Sequence, residues 1–129
     1  MSDLPAPVAA YFQHVNAQDW EELRRLWVED AELTSVGGGR PRRGVDDVLA
    51  YYPGALRGWV EHCDTPVSWS VGDDGSVTVR IRFDGVHRSG TPVAFDAIDV
   101  FQLEDDRLRS VDIRYDVDAV RAQLPVRDD

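Results

Sequence analysis

The chain has 129 residues, 43% hydrophobic and 29% charged, a balance that fits one globular domain with a single core and excludes a disordered, tail-like chain. Its 24 acidic residues outnumber 14 basic ones, all arginine, for a net charge of -10, which sets the surface against phosphate backbones and anionic lipid. Nucleic acid and membrane are thereby poor partners.

No apolar run reaches the length of a membrane span, and MSDLPAPV lacks the basic and apolar regions of a signal peptide, so a cytoplasmic location is expected. The single domain spans residues 1–129, with 125–129 as a flexible charged tail. The one cysteine, Cys63, cannot form an internal disulfide and has no zinc-site partners. It reads as a small buried or half-buried hydrophobe.

Val8, Tyr11, Phe12 and Val15 recur at helical spacing and predict a first amphipathic helix ending near Asn16. Asp19 followed by an acid at Glu22 is a capping signal for a second helix, whose inner stripe is Trp20, Leu23 and Trp27. AELTSV then reads as a short strand closed by three glycines. The cluster GGGRPRRG (37–44) has no lysine and no Gly-Lys-Ser/Thr ending, so it is not a phosphate loop; it reads as a solvated turn, with a minor anion or substrate-lip role as the alternative. VDDVLAYY repeats its apolar residues at helical spacing up to Pro53, where the helix should stop.

From Val67 the period switches to two. Val67, Trp69 and Val71 precede a GDDG turn; Val77, Val79, Ile81 and Phe83 form one dry strand face. FDAIDVFQL and VDIRYDV supply two further strands, and DAVRAQL a short last helix. The order predicts an α+β fold: a cone-shaped curved antiparallel sheet with N-terminal helices packed over its concave face and a pocket at the open end.

One residue breaks the pattern. Asp99 shares its strand face with Phe95, Ala97, Phe101 and Leu103, so a carboxyl lies among core residues. Tight turns would place it between Val79 and Val111 on the neighbouring strands. A lone carboxylate there is costly, so the group is held protonated or met by a donor. A protonated acid donates a hydrogen bond, which suits it to an oxygen anion; a structural bond to backbone or an internal water is the alternative. Asp96 and Asp116 have the opposite parity and read as surface residues, Asp96 facing Arg82.

Taken together, YFQHVNAQDWEELRRLWVEDAEL, PRRGVDDVLAYY and IDVFQLEDDRLRSVDIRYD resemble the nuclear transport factor 2-like superfamily, in the branch of ketosteroid isomerases and SnoaL-like polyketide cyclases. The resemblance runs from about Val8 to about Leu124 and implies the nuclear transport factor 2-like, or cystatin-like, fold. It implies an oxyanion hole of Tyr11, in AYFQHVNAQDW, and a protonated Asp99, in IDVF. The position of the isomerase base is Ser35, and a neutral serine cannot take a proton from carbon. His14, one turn after Tyr11, is the candidate proton carrier. Trp27, Ser35, Tyr52, Trp59, Phe101 and Tyr115 are the candidate pocket residues for a small hydrophobic molecule. The resemblance also implies a homodimer through the outer sheet face. Nothing in the sequence calls for a metal or other cofactor.

Two functions of different class remain: a cofactor-independent isomerase, cyclase or lyase for a hydrophobic carbonyl compound, and a non-catalytic binding protein for a small apolar ligand. A scaffold whose sheet serves only dimerisation is a third.

Overall fold

The computed structural model describes residues 3–37 and 39–125. The expected tail at 125–129 therefore lies almost wholly outside the described residues.

Helix α1 (Ala6–Ala17) turns Val8, Tyr11, Phe12 and Val15 inward, as their spacing requires. Helix α2 (Trp20–Arg24) is capped by the Asp19 carboxylate, which accepts from the Glu22 backbone N–H at 3.2 Å. It is shorter than its stripe predicts. Trp27 is not on this helix but opens strand β1 (Trp27–Ser35), opposite Leu108, because the Leu26 carbonyl is already taken by the Leu108 N–H.

Strand β2 (Arg42–Arg43) pairs with β1 where a turn was expected. Helix α3 (Val45–Leu56) runs through Pro53 instead of stopping there. The proline forfeits one backbone donor, and Val48 and Tyr52, both in the core, hold the turn before it in place. Strands β3 (Trp59–Val71), β4 (Val77–His87), β5 (Pro92–Glu104) and β6 (Arg107–Tyr115) form the long meander. Helix α4 (Val117–Gln123) closes the described chain. Asp116 caps it by accepting from the Ala119 N–H at 3.0 Å.

The sheet order is β2-β1-β6-β5-β4-β3, antiparallel except for the parallel β1–β6 pair. It is curved and unclosed, with helices over its concave face. This is the predicted α+β architecture.

Across β4 and β5, Val79 lies opposite Asp99, as parity requires. On the other side the neighbour is Ile113 rather than Val111, which pairs with Phe101. The pairing at the turn would set Asp99 opposite Asp112, and a bulge between Gln102 and Leu103 moves its partner one residue on, to Ile113. The Asp105–Asp106 turn sets one register, and the bulge shifts it by one residue. Asp99 thereby stays on the inner face.

Strand β3 is an edge strand and starts eight residues earlier than its alternation suggests. Its register shifts between Pro66 and Ser68, leaving Val67 as the extra residue. Upstream of that bulge the faces exchange: Asp64 lies opposite inward Phe83, and Cys63 opposite outward Asp84. Cys63 is consequently exposed, not buried as its residue type suggested.

Candidate functional site

A cavity of about 140 Å³ lies between the concave sheet face and helices α1, α3 and α4. Its walls come from Tyr11 and Val15 of α1, Tyr51, Tyr52, Ala55 and Leu56 of α3, and Val120 of α4. The sheet adds Trp59, Asp64, Ile81, Phe83, Phe95, Ala97, Asp99, Ile113 and Tyr115. A wider groove beside α2 and β1 is open to solvent and edged by charges of both signs, Arg24, Arg43, Asp46 and Asp47 among them. An exposed mixed-charge groove cannot desolvate a ligand, so the cavity beneath the helices is the candidate site.

Asp99 is 4% exposed, and its Oδ1 is buried with no hydrogen-bond partner among the described residues. Burial first, then the negative charges of Asp64 and Asp112, push its pKa well above the ordinary carboxyl value. Burial thus favours the neutral form of the carboxyl, the form that can donate a hydrogen bond.

Tyr11 faces the same cavity from α1. Its ring packs edge-on against Phe101 at 5.0 Å and Tyr52 at 6.0 Å, which fixes its direction. The Tyr52 hydroxyl donates to the Tyr11 hydroxyl at 3.0 Å. This leaves the Tyr11 proton free for a further acceptor. Burial raises both phenols well above their usual value, so neither ionises near neutrality. The Asp99 carboxyl and the Tyr11 phenol thus share one cavity.

The aromatic wall continues through Trp59, Phe83, Phe95 and Tyr115, with successive ring centroids at 4.9, 4.6 and 5.3 Å. Gly37 packs directly against the Tyr115 hydroxyl, which occupies the space a Cβ would fill. Gly37, just after β1, therefore permits the Tyr115 placement.

Asp64 was not anticipated. Its carboxyl lines the cavity, makes no hydrogen bond among the described residues, and has its pKa raised to about 6 by burial. Its backbone is clamped by Asn16 at the end of α1: the Asn16 Nδ2 donates to the Asp64 carbonyl at 2.9 Å, and the Asp64 N–H donates to Asn16 Oδ1 at 2.8 Å. The side-chain amide takes the place of a neighbouring strand at this edge.

Of the residues singled out in the sequence, Tyr11, Tyr52, Trp59, Asp99 and Tyr115 come together in the cavity. His14, Trp27, Ser35 and Phe101 are not among its lining. His14 is half-buried elsewhere on α1. Phe101 is fully buried core behind Tyr11. Ser35 meets the cavity only through Tyr51, whose hydroxyl donates to Ser35 Oγ at 3.1 Å. Trp27 is core, T-shaped to Tyr11 at 6.1 Å. Asp96 is outside, 3.3 Å from Arg82, as its parity requires.

The sequence profile of the SnoaL-like domain matches residues 8–111. The chain belongs to the SnoaL-like domain family. No curated protein matches it. Among solved structures it is similar to a protein with a ketosteroid isomerase-like fold from Catenulispora acidiphila, solved in complex with trimethylamine (TM-score 0.84, 17% identity, 94% of this chain and 93% of that one). It is also similar to a protein described as a polyketide cyclase from Sinorhizobium meliloti (0.73, 25%, 87% and 96%). A third is described as a SnoaL-like polyketide cyclase from Jannaschia sp. CCS1 (0.81, 18%, 95% and 96%). Within this SnoaL-like frame the sheet and α1 bring Asp99 and Tyr11 to one cavity, while the sequence around it sets the cavity's size and its second acid.

Proposed function

We propose that this SnoaL-like protein acts on a small hydrophobic carbonyl compound, by isomerisation, cyclisation or dehydration, with Tyr11 and protonated Asp99 as oxyanion donors. The observation that carries the reading is a buried carboxyl with an unpartnered oxygen in an aromatic cavity shared with a neutral tyrosine. Donors fixed in a water-poor site stabilise a developing enolate without reorganising. The cavity volume of about 140 Å³ is close to that of a cavity able to hold benzene, about 150 Å³, and so favours a single-ring substrate over a polycyclic one.

The test is the affinity of substituted phenols, which present an enolate-like oxygen, by calorimetry. Asp99→Leu and Tyr11→Phe should each weaken binding at least tenfold while far-ultraviolet circular dichroism stays native. Unchanged affinity in both variants would exclude the donor pair.

The placement of Ser35 favours a second reading, a binding protein that does not transform its ligand. Under that reading phenols bind and no ketone turns over. The homodimer expected through the outer sheet face is part of the proposal, supported by Ile98, 40% exposed on that face. Sedimentation at micromolar concentration should give twice the chain mass; a monomer would count against it.

A further inference from the structure

We propose that Asp64 is the base of this site, removing a proton from the carbon beside the carbonyl and returning it to the substrate. The inference rests on the oxyanion reading above and supplies the group that Ser35 cannot. The usual position on β1 is neutral here, and Asp64 presents a carboxyl from β3, on a different wall of the cavity.

Three observations converge. Asp64 and Asp99 are the only acids among the described residues lining the cavity, and no histidine, arginine or lysine lines it. The Asp64 carboxyl has no hydrogen-bond partner among the described residues, so its lone pairs are available, while Asn16 fixes its backbone through two bonds. A base must be held in place and left unengaged, and this arrangement does both. Finally, the bulge at Val67 turns Asp64 inward. Without that extra residue the inner position would fall to Cys63 or Thr65, neither of which is a carboxylate.

The groups facing Asp64 across the cavity are Asp99 from β5, Tyr11 from α1, Tyr51 and Tyr52 from α3, and Tyr115 from β6. All of these have raised pKa values, with burial as the first cause. Asp64, at about 6, is therefore mainly ionised at pH 7, while burial favours the neutral forms of the groups facing it. Two carboxyls in one cavity with separated titrations divide naturally into a donor and a base.

The step balances without a co-reactant. The C–H bond next to the carbonyl breaks and its proton passes to an Asp64 oxygen. Its electron pair forms the enolate, whose oxygen accepts from Asp99 and Tyr11. Return of the proton to the same carbon, or to a conjugated one, restores both the carbonyl and the carboxylate. Asn16 acts through Asp64 as a positioning residue.

The experiment uses the full chain with two probes: 4-chlorophenol for the oxyanion site, and cyclohexanone in D2O for proton transfer, followed as deuterium exchange by NMR. The native protein should bind the phenol and exchange the ketone, with a rate that rises through about pH 6. Asp64→Asn should lose at least tenfold in exchange, since general bases contribute about 100-fold or more, while far-ultraviolet circular dichroism stays native. Asp64→Glu should retain measurable exchange, which separates loss of the base from loss of the fold. Phenol binding without exchange, or an Asp64→Asn loss smaller than tenfold, would overturn the base assignment alone. A native protein that binds no phenol would overturn the oxyanion reading and the base with it.

Discussion

Asp64→Asn should make this protein more stable at pH 8 than at pH 4, relative to the native chain. In the unfolded state the carboxyl titrates near its ordinary value of 3.8; in the fold it titrates at about 6. Between those values the folded state binds the extra proton. The stability that this raised pKa contributes is fully present below pH 3.8 and is lost as pH rises through 6. At about 1.4 kcal/mol per pKa unit, ionising Asp64 in place costs the native fold about 3 kcal/mol by pH 8. Asparagine has the same shape and no charge, and the Asn16 clamp contacts only the backbone, so it is undisturbed. Urea unfolding of both proteins at pH 4, 6 and 8 should show an advantage for the variant that grows with pH to about 3 kcal/mol and levels off above pH 7. A difference that stays flat between pH 4 and pH 8 would refute the raised titration of the half-buried Asp64. An advantage at pH 8 combined with lost exchange would instead show strain kept for function.

Three further outcomes follow from the cavity. Tyr52→Phe removes the donor to Tyr11, and should cost about 1 kcal/mol of stability and weaken phenol binding severalfold, read by urea unfolding and calorimetry. Gly37→Ala places a methyl group against the Tyr115 hydroxyl and should lower the melting temperature; pairing it with Tyr115→Phe should recover part of the loss. Ser35→Asp, which would restore the carboxyl at the usual base position, should not raise ketone exchange, because Ser35 is not in the cavity lining and is bonded to Tyr51.

Much of the fold was legible because its signals are local. The spacing of Val8, Tyr11, Phe12 and Val15 and the alternation of Val77 to Phe83 report helix and strand period directly, and both elements form as read. Asp99 was legible for the same reason: parity along one strand put it among core residues, and a slip of one residue would have exposed all of them. Tyr11 came from resemblance, since its helical stripe says only that it is inside. Trp27 misled because an apolar residue at helical spacing fits the first position of a buried strand equally well. Pro53 misled because a proline's local penalty can be outweighed by the packing of the residues before it.

The sequence by itself determined the periods, the inner faces of β4 and β5, and the presence of one carboxyl on the wrong side of a core strand. Only the tertiary structure decided which residues share the cavity. The physical reason lies in β3 and in the clamp beside it. A bulge inserts one residue and exchanges the faces upstream, sending Cys63 out and Asp64 in. No alternation counted along the chain can register that. Asn16, 48 residues away in sequence, then fixes Asp64 by hydrogen bonds that exist only once α1 lies against the sheet edge. Ser35 and His14, the residues that sequence position favoured for the chemistry, are left outside the cavity by the same packing.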